Sequence, residues 1–243
     1  MSKRQENDEQ TAAAYAYAES FVPPDKAAKH AAKFDKRVDN LRHQIEVSLL
    51  NRYVKGSLFD CTIGFGRLVG ELTEVTSYQG MDYSPAFVES VRQNHPQVSV
   101  MQGDLLKGIN QEADRFDTVI CLRTLPALPA SDRIISDMVR ITRPGGLIVF
   151  DYGTRPKKGE IGGVTTTFNT MSVKQVAADL PVKLMASHRL DSPLLLAVKK
   201  NDFLNRWFHV RFNILSDRFY MWLDRFLTGF KADRRLYVFK KTS

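Results

Sequence analysis

The apolar residues of the chain fall into short runs, and longer amphipathic stretches separate them. Five runs predict β-strands between residues 57 and 152, namely SLFD, SYQGMD, VSVMQ, FDTVICL and GLIVFDY. Two further strand candidates, VKLMASHRL and RLYVFKK, lie at residues 182–190 and 235–241. Strands that alternate with helices predict a mostly parallel sheet in a doubly wound α/β fold.

The helices between these strands are predicted from the period of their apolar residues and from signals at their ends. In residues 24–54 the apolar residues recur with a spacing close to 3.6, which predicts a helix. Ser84 followed by Pro85 indicates a helix start, and Ser131 opens the amphipathic run SDRIISDMVRI, which ends at RPGG. The stretch LVGEL after the first strand is interpreted as helix-like, and KKGEIGGVTTTFNT after the fifth strand as a loop.

Composition is that of a globular protein, with 43% hydrophobic and 26% charged residues in 243. No segment approaches the roughly 20 apolar residues that cross a bilayer, and MSKRQENDEQ has no signal-peptide core. We therefore expect a cytoplasmic protein, or one resting on the inner face of the membrane. Cys61 and Cys121 lie in apolar runs, which predicts buried, reduced thiols and no metal site.

Positive charge is concentrated near the C-terminus. Residues 199–241 carry 11 basic and four acidic residues, most of the net charge of +8. Within the helical pattern of residues 202–229, Arg211, Arg218 and Arg225 form one row inside the apolar arc. A break in the helix, arginines reaching membrane phosphates, or arginines binding an anionic acceptor would each explain this row.

The segment LFDCTIGFGRLVGEL, residues 58–72, has the form of a nucleotide-binding loop. A dinucleotide fingerprint would place its third glycine at Val69, but the glycine comes one residue later, at Gly70. The Gly-Lys-Ser/Thr sequence of a phosphate-binding loop is absent. Asp60 lies four residues before Gly64, where a carboxylate suits a ligand with an ammonium group and repels a pyrophosphate.

Two later acids occupy equivalent places on the next strands. Asp82 ends the second predicted strand, where a carboxylate can accept hydrogen bonds from both ribose hydroxyls. Asp104 follows the third strand and is placed to meet an adenine edge. Because ligands bind at the carboxyl ends of parallel strands, the three acids together predict a nucleoside site.

In this order the motifs resemble those of the class I S-adenosylmethionine-dependent methyltransferases. LFDCTIGFGR, GMDYSP and VMQGDLL match the first three motifs, and FDTVICLRTLPALP with MVRITRPGGLIVFDYGT matches the fourth and fifth strands, within residues 34–188. The resemblance implies a seven-stranded sheet with an antiparallel last strand, S-adenosylmethionine as cofactor and S-adenosylhomocysteine as product. Thr62 departs from the family pattern, because it replaces the first glycine of the loop.

The resemblance also implies cofactor-binding residues. Asp60 would lie near the methionine amino group, Asp82 would hold the ribose, and Asp104 would flank the adenine. The set it implies is Asp60, Thr62, Gly64, Gly66, Asp82, Tyr83, Asp104, Leu105, Cys121, Leu122 and Arg123.

Four parts of the chain are predicted. Residues 1–57 form a helical cap, residues 58–198 the cofactor-binding core, and residues 231–243 the final core strand. Residues 199–230 form a basic, aromatic helical insertion that serves as a lid or faces a membrane. The three arginines of this insertion are candidates for substrate binding.

Methyl transfer from a sulfonium is an in-line displacement, so the protein mainly aligns the acceptor and excludes water. A hydroxyl acceptor would benefit from a base, for which the candidates are His43, His188, Asp151 and Tyr152. No DNA-methylating turn follows the fourth strand and no RNA-binding module is evident, so nucleic acid is not expected as a partner.

We therefore expect O-methylation of a small-molecule, saccharide or lipid-linked acceptor, anionic acceptors included. The alternatives are a binding or scaffold protein that keeps the fold without catalysis and, more remotely, an NAD-dependent oxidoreductase.

Overall fold

The computed structural model of the chain describes residues 8–9, 11–13, 15–16, 37–129, 131–153, 157–161, 164–168, 176, 178–190 and 234–243. Among its helices are α1 (Arg37–Leu50), α2 (Pro85–Asn94) and α3 (Ser131–Ile141), and a 3₁₀ turn lies at Leu125–Ala127. Its strands are β1 (Gly56–Asp60), β2 (Val75–Asp82), β3 (Ser99–Gln102), β4 (Phe116–Cys121), β5 (Thr142–Gly153), β6 (Lys157–Ile161), β7 (Val164–Phe168), β8 (Val182–Arg189) and β9 (Arg234–Lys241).

Seven strands form one sheet in the order β3-β2-β1-β4-β5-β9-β8. Strands β1 to β5 pair in parallel, and β9 lies antiparallel between β5 and β8. The predicted α/β fold, a doubly wound seven-stranded sheet with an antiparallel last strand, is confirmed. The carboxyl ends of the parallel strands therefore meet at one edge, which is where the predicted acids lie.

Alternating residues of the central strands fill two cores, one on each face of the sheet. Phe59 and Phe150 belong to the core on the α3 side, where Phe150 stacks on Phe239 with ring centroids 5.5 Å apart. Leu58 and Val149, their neighbours in sequence, belong to the other core, with residues of α1. Side chains in these strands therefore alternate between the two faces of the sheet, and both faces are buried, which is why the strands appear as apolar runs in the sequence.

The segment after β1 forms a series of tight turns, so the prediction of a helix-like run is wrong. The backbone N–H groups of Gly66, Val69 and Glu71 each donate to the carbonyl three residues earlier. Gly64, Gly66 and Gly70 have φ of 58°, 85° and 83°. An α-helix needs negative φ at every residue, so positive angles at this spacing exclude one.

The interpretation of KKGEIGGVTTTFNT as a loop is also wrong, because β6 and β7 form an antiparallel pair there. Lys157 pairs with Phe168 and Ile161 with Val164. The β-branched residues of VTTTF favour a strand, and the Gly-Gly between the two runs suits a two-residue hairpin connection.

The predicted helix start at Ser84-Pro85 is confirmed, since α2 begins at Pro85. Of the helix predicted for residues 24–54, the structure describes 37–50 as helical. The predicted insertion at 199–230, with its three arginines, lies outside the described residues. Among the residues described, no helix has the length and apolar character needed to cross a membrane.

Candidate functional site

Asp60 ends β1 at the carboxyl edge of the sheet and is 4% exposed. Its carboxylate accepts hydrogen bonds from the Tyr78 hydroxyl at 2.9 Å and from the Thr62 backbone N–H at 3.1 Å. Burial raises the pKa of Asp60 to about 6, although both hydrogen bonds act in the opposite direction. The acid is thus held in place by its own loop and by the neighbouring strand.

Asp82 ends β2 and binds the glycine loop directly. Its two oxygens accept the backbone N–H groups of Gly64 at 2.9 Å and Ser84 at 3.0 Å. Burial raises the pKa of Asp82 to about 6. No heavy atom of the described residues comes within 4 Å of the place a Cβ would take on Gly64, so a ligand can approach this backbone closely.

Gly66, the second glycine of the loop, has no such room. A Cβ there would lie 2.7 Å from Cδ2 of His95, which follows α2. Positive φ and close packing together require glycine at this position.

Thr62 replaces the first glycine of the family motif without strain. Among described residues other than glycine, only Asp114 and Arg123 have positive φ, so residue 62 does not need a glycine. Its hydroxyl donates to the Leu122 carbonyl at 3.3 Å, which ties the loop to the end of β4.

Asp104, after β3, is contacted by the N-terminal segment. One carboxylate oxygen accepts the Leu106 N–H at 2.9 Å, and the other accepts the hydroxyl of Tyr15 at 2.8 Å. The ring of Tyr15 lies 5.1 Å from that of Tyr83, centroid to centroid. Burial and the bond to Asp104 raise the pKa of Tyr15 to about 12, so its hydroxyl is a donor at neutral pH. Sequence reasoning missed Tyr15, because nothing in QTAAAYAYAES links it to a residue 89 positions away.

Three of the predicted cofactor residues are mainly buried in the two cores. Leu105 and Cys121 belong to the core on the α3 side, and Leu122 to the core on the α1 side. Both cysteines of the chain are reduced and fully buried, as expected.

A buried carboxylate on α1, Glu46, lies among three arginines and is 2% exposed. Arg67 of the glycine loop is 2.6 Å from it, Arg123 after β4 is 2.9 Å away, and Arg234 of β9 is 3.8 Å away. Burial alone would raise the pKa of Glu46, but the three guanidinium charges outweigh it and lower the pKa to about 2. Glu46 thus links α1, the glycine loop, β4 and β9.

Asp151 of β5 extends this cluster. It is fully buried, accepts the backbone N–H of Arg123, and pairs with Nε of Arg234 at 2.6 Å. Arg123 has φ of 63°, so the bond from its N–H and the pairing of its side chain with Glu46 hold it in a left-handed turn. The sequence motifs identified Arg123 and Asp151 but not Glu46, Arg67 or Arg234. The one sequence signal for this cluster was Glu46 itself, a single acid in the apolar run IEVSLL.

His43 and His188 are each already hydrogen-bonded. Nδ1 of His43 lies 3.2 Å from an Arg67 nitrogen, and because arginine can only donate, this Nδ1 is unprotonated and the neutral ring carries its proton on Nε2. Burial and the Arg67 charge lower the pKa of His43. His188 shares a hydrogen bond of 2.6 Å with the Tyr53 hydroxyl. Burial, and to a smaller extent the charges of nearby arginines, lower the pKa of His188.

Tyr152 lies on the opposite face of the sheet from Asp151, since the two are adjacent in β5. Its hydroxyl donates to Ser131 inside the core at 3.1 Å. Asp60, Asp82 and Asp104 therefore meet at the carboxyl edge, whereas each of the four candidate bases has a partner elsewhere in the described part of the chain. The described residues contain no group of three or more His, Cys, Asp or Glu side chains that could hold a metal ion.

Residues 59–146, from the end of β1 into β5, match a family model described as a methyltransferase domain. This range contains the glycine loop, the three strand-end acids and the end of β4. This part of the chain is a methyltransferase domain, as the resemblance predicts.

Two curated proteins similar to this chain come from mycobacteria. The phthiotriol/phenolphthiotriol dimycocerosates methyltransferase 1 of Mycobacterium ulcerans (strain Agy99) is 24% identical over 175 residues, covering 68% of this chain and 59% of that protein. The phthiotriol/phenolphthiotriol dimycocerosates methyltransferase of Mycobacterium leprae (strain TN) is 24% identical over 196 residues, covering 76% and 69%. The matches thus span about three fifths to two thirds of the relatives' length.

Solved structures share the fold of the chain at low sequence identity. An S-adenosylmethionine-dependent methyltransferase from Mesorhizobium loti aligns with a TM-score of 0.57 and 16% identity, over 84% of this chain and 99% of that one. The N-methyltransferase NodS from Bradyrhizobium japonicum WM9, in complex with S-adenosyl-L-homocysteine, gives 0.53 and 15%, over 86% and 90%.

Proposed function

We propose that the chain transfers a methyl group from S-adenosylmethionine to a hydroxyl oxygen of a small-molecule acceptor of lipid or saccharide type. The observation that carries the cofactor part is the contact between Asp82 and Gly64. The carboxylate at the end of β2 holds the glycine loop, and the loop leaves open space at Gly64. A nucleoside bound across this contact would lie against the backbone of the loop on one side. On the other side, its ribose hydroxyls would donate hydrogen bonds to Asp82.

The residues at this edge fit the proposed cofactor. Asp82 has lone pairs left for ribose hydroxyls after accepting its two N–H bonds. Asp60 places a carboxylate where the methionine ammonium group would lie, and Asp104 offers acceptor oxygens to the adenine amino group. When bound, S-adenosylmethionine supplies an activated methyl group on a sulfonium, so the protein contributes alignment and exclusion of water.

The acceptor part of the proposal is supported by the curated relatives. Their names give phthiotriol and phenolphthiotriol dimycocerosates as acceptors, and the suffix of phthiotriol denotes hydroxyl groups. Fold similarity alone does not choose the atom, since NodS is named an N-methyltransferase.

The base remains a prediction among His43, His188, Asp151 and Tyr152. The hydrogen bonds described above favour His43 as a donor through Nε2–H, and Asp151 and Tyr152 as structural groups. His188, with its partner Tyr53, is then the candidate base that we retain. The three arginines of residues 202–229 remain candidates for binding an anionic group of the acceptor.

Isothermal titration with S-adenosylhomocysteine tests the cofactor part. We expect binding by the wild type and roughly 10- to 100-fold weaker binding by Asp82→Ala, because bonds to a charged group are lost. The matched control is Glu74→Ala, at an exposed acid just before β2, which should bind as the wild type does. No binding by the wild type, or equal affinity in Asp82→Ala, would reject the proposal.

The acceptor is tested with labelled S-adenosylmethionine and fractionated cell extract. Label in the organic-soluble fraction, in a product that loses methanol on fragmentation, would support O-methylation of a lipid. Label in the polar saccharide fraction would support the saccharide alternative, and label in an amine would contradict oxygen as the acceptor. A chain that binds the cofactor but transfers no label into any fraction would be a scaffold. Because Thr62 fits the loop without strain, the departure at this residue gives no reason to expect that outcome.

A further inference from the structure

The N-terminal segment reaches the adenosine end of the proposed cofactor site. The described residues between 8 and 16 are helical, and Ala13 is 1% exposed. Two residues later, Tyr15 contacts Asp104 through its hydroxyl and Tyr83 through its ring. One side chain thus contacts Asp104, which the resemblance assigns to the adenine, and Tyr83, which the resemblance includes among the cofactor-binding residues.

Tyr15 limits how the Asp104 carboxylate can rotate. The Leu106 N–H holds one oxygen at 2.9 Å and the Tyr15 hydroxyl holds the other at 2.8 Å. Two donors on different oxygens define the plane of a carboxylate, and each oxygen keeps a second lone pair. The exocyclic amino group of adenine can donate a hydrogen bond to one of these lone pairs.

The two tyrosine rings are too close for adenine to lie between them. Their centroids are 5.1 Å apart, at an angle of 42°, which is a direct aromatic contact. A third ring between them would need two such spacings, about 9 Å or more. Tyr15 therefore packs against the Tyr83 ring and supports it, and adenine cannot lie between the two rings.

We propose that Tyr15 is a positioning residue for adenine recognition, which orients Asp104 toward the 6-amino group and supports the Tyr83 ring. This inference rests on the proposed use of S-adenosylmethionine. It assigns to the N-terminal segment a part in selecting a 6-aminopurine over a 6-oxopurine.

The experiment compares S-adenosylhomocysteine with S-inosylhomocysteine, in which a carbonyl replaces the 6-amino group, by isothermal titration of the full chain. For Tyr15→Phe we expect S-adenosylhomocysteine to bind roughly three- to tenfold more weakly, and S-inosylhomocysteine to bind as in the wild type. Tyr15→Ala should weaken both ligands, because Tyr83 then loses its support. Tyr237→Phe is the matched control, since it removes a hydroxyl from a core tyrosine of β9, and should change neither affinity.

A double-mutant cycle with Asp104→Asn tests whether Tyr15 acts through that carboxylate. Tyr15→Phe should then have no further effect on the preference for the amino ligand. An equal loss for both ligands in Tyr15→Phe would overturn the proposal in favour of a purely structural contact. Tighter binding of S-adenosylhomocysteine would also overturn it, because Tyr15 would then be a competitor of adenine.

Failure of the inference differs from failure of the proposed function. If the wild type does not bind S-adenosylhomocysteine, the proposed function fails. If the wild type binds, Asp82→Ala weakens the binding and Tyr15→Phe does not, only the role of Tyr15 is rejected.

Discussion

Replacing Glu46 with glutamine should destabilise the fold by about 3 kcal/mol at neutral pH. The three arginines lower the pKa of this buried carboxyl from 4.5 to about 2. Each pKa unit corresponds to about 1.36 kcal/mol, so the charged form stabilises the folded state by about 3 kcal/mol relative to a neutral side chain. Glu46→Gln keeps the size of the side chain and removes the charge.

The pH dependence gives the sharper test. A folded pKa below the unfolded value means that the stabilisation is complete above about pH 4.5 and is lost as the pH falls toward 2. The difference between wild type and Glu46→Gln should therefore shrink, to about 2 kcal/mol near pH 3.5. Asp60 and Asp82, with pKa raised to about 6, stabilise both proteins as the pH falls below 6, so their effect cancels in the difference.

Urea unfolding followed by circular dichroism measures this difference at several pH values. Glu71→Gln is the matched control, because Glu71 is exposed at the end of the glycine loop, and it should change stability by less than about 0.5 kcal/mol. A loss below about 1 kcal/mol in Glu46→Gln at neutral pH, or a loss that does not vary with pH, would refute the argument that the arginine charges hold this carboxylate.

Three further outcomes are expected. Gly66→Ala should cost about 2 kcal/mol in urea unfolding, because its Cβ meets His95, whereas Gly64→Ala should cost about 1 kcal/mol, from positive φ alone; equal losses would contradict this. Thr62→Val should lose about 1 kcal/mol with its hydroxyl bond while Thr62→Ser keeps it, so equal stability of both would exclude that bond. In His43→Gln the pH profile of methyl transfer should be unchanged, because Nδ1 already accepts from an arginine; loss of the acid limb would show that His43 is the base.

Features that depend on neighbouring residues could be predicted from the sequence. The two-residue period of the strands follows from local alternation, and the common position of the strand-end acids follows from the rule that parallel strands end at one edge. This is why Asp60, Asp82 and Asp104 were found together.

Two errors have local causes that a period alone cannot show. LVGEL has helical spacing of apolar residues, but the backbone angles of the preceding glycines favour turns. The Gly-Gly inside KKGEIGGVTTTFNT suggested a loop, although the runs on either side of it are long enough to pair.

The residues that sequence reasoning missed share a different property. Tyr15 and Glu46 act on groups 89 and 77 positions away, through packing of helical segments onto the edge of the sheet. No motif records such contacts, because the same contact can be made from many positions on a helix. The residues assigned to the ligand are therefore recognisable from the strand register, while the residues that hold them are set by tertiary packing. Orientation of Asp104 and of Arg123 depends on this second group, so a motif match alone leaves the geometry of the site undetermined.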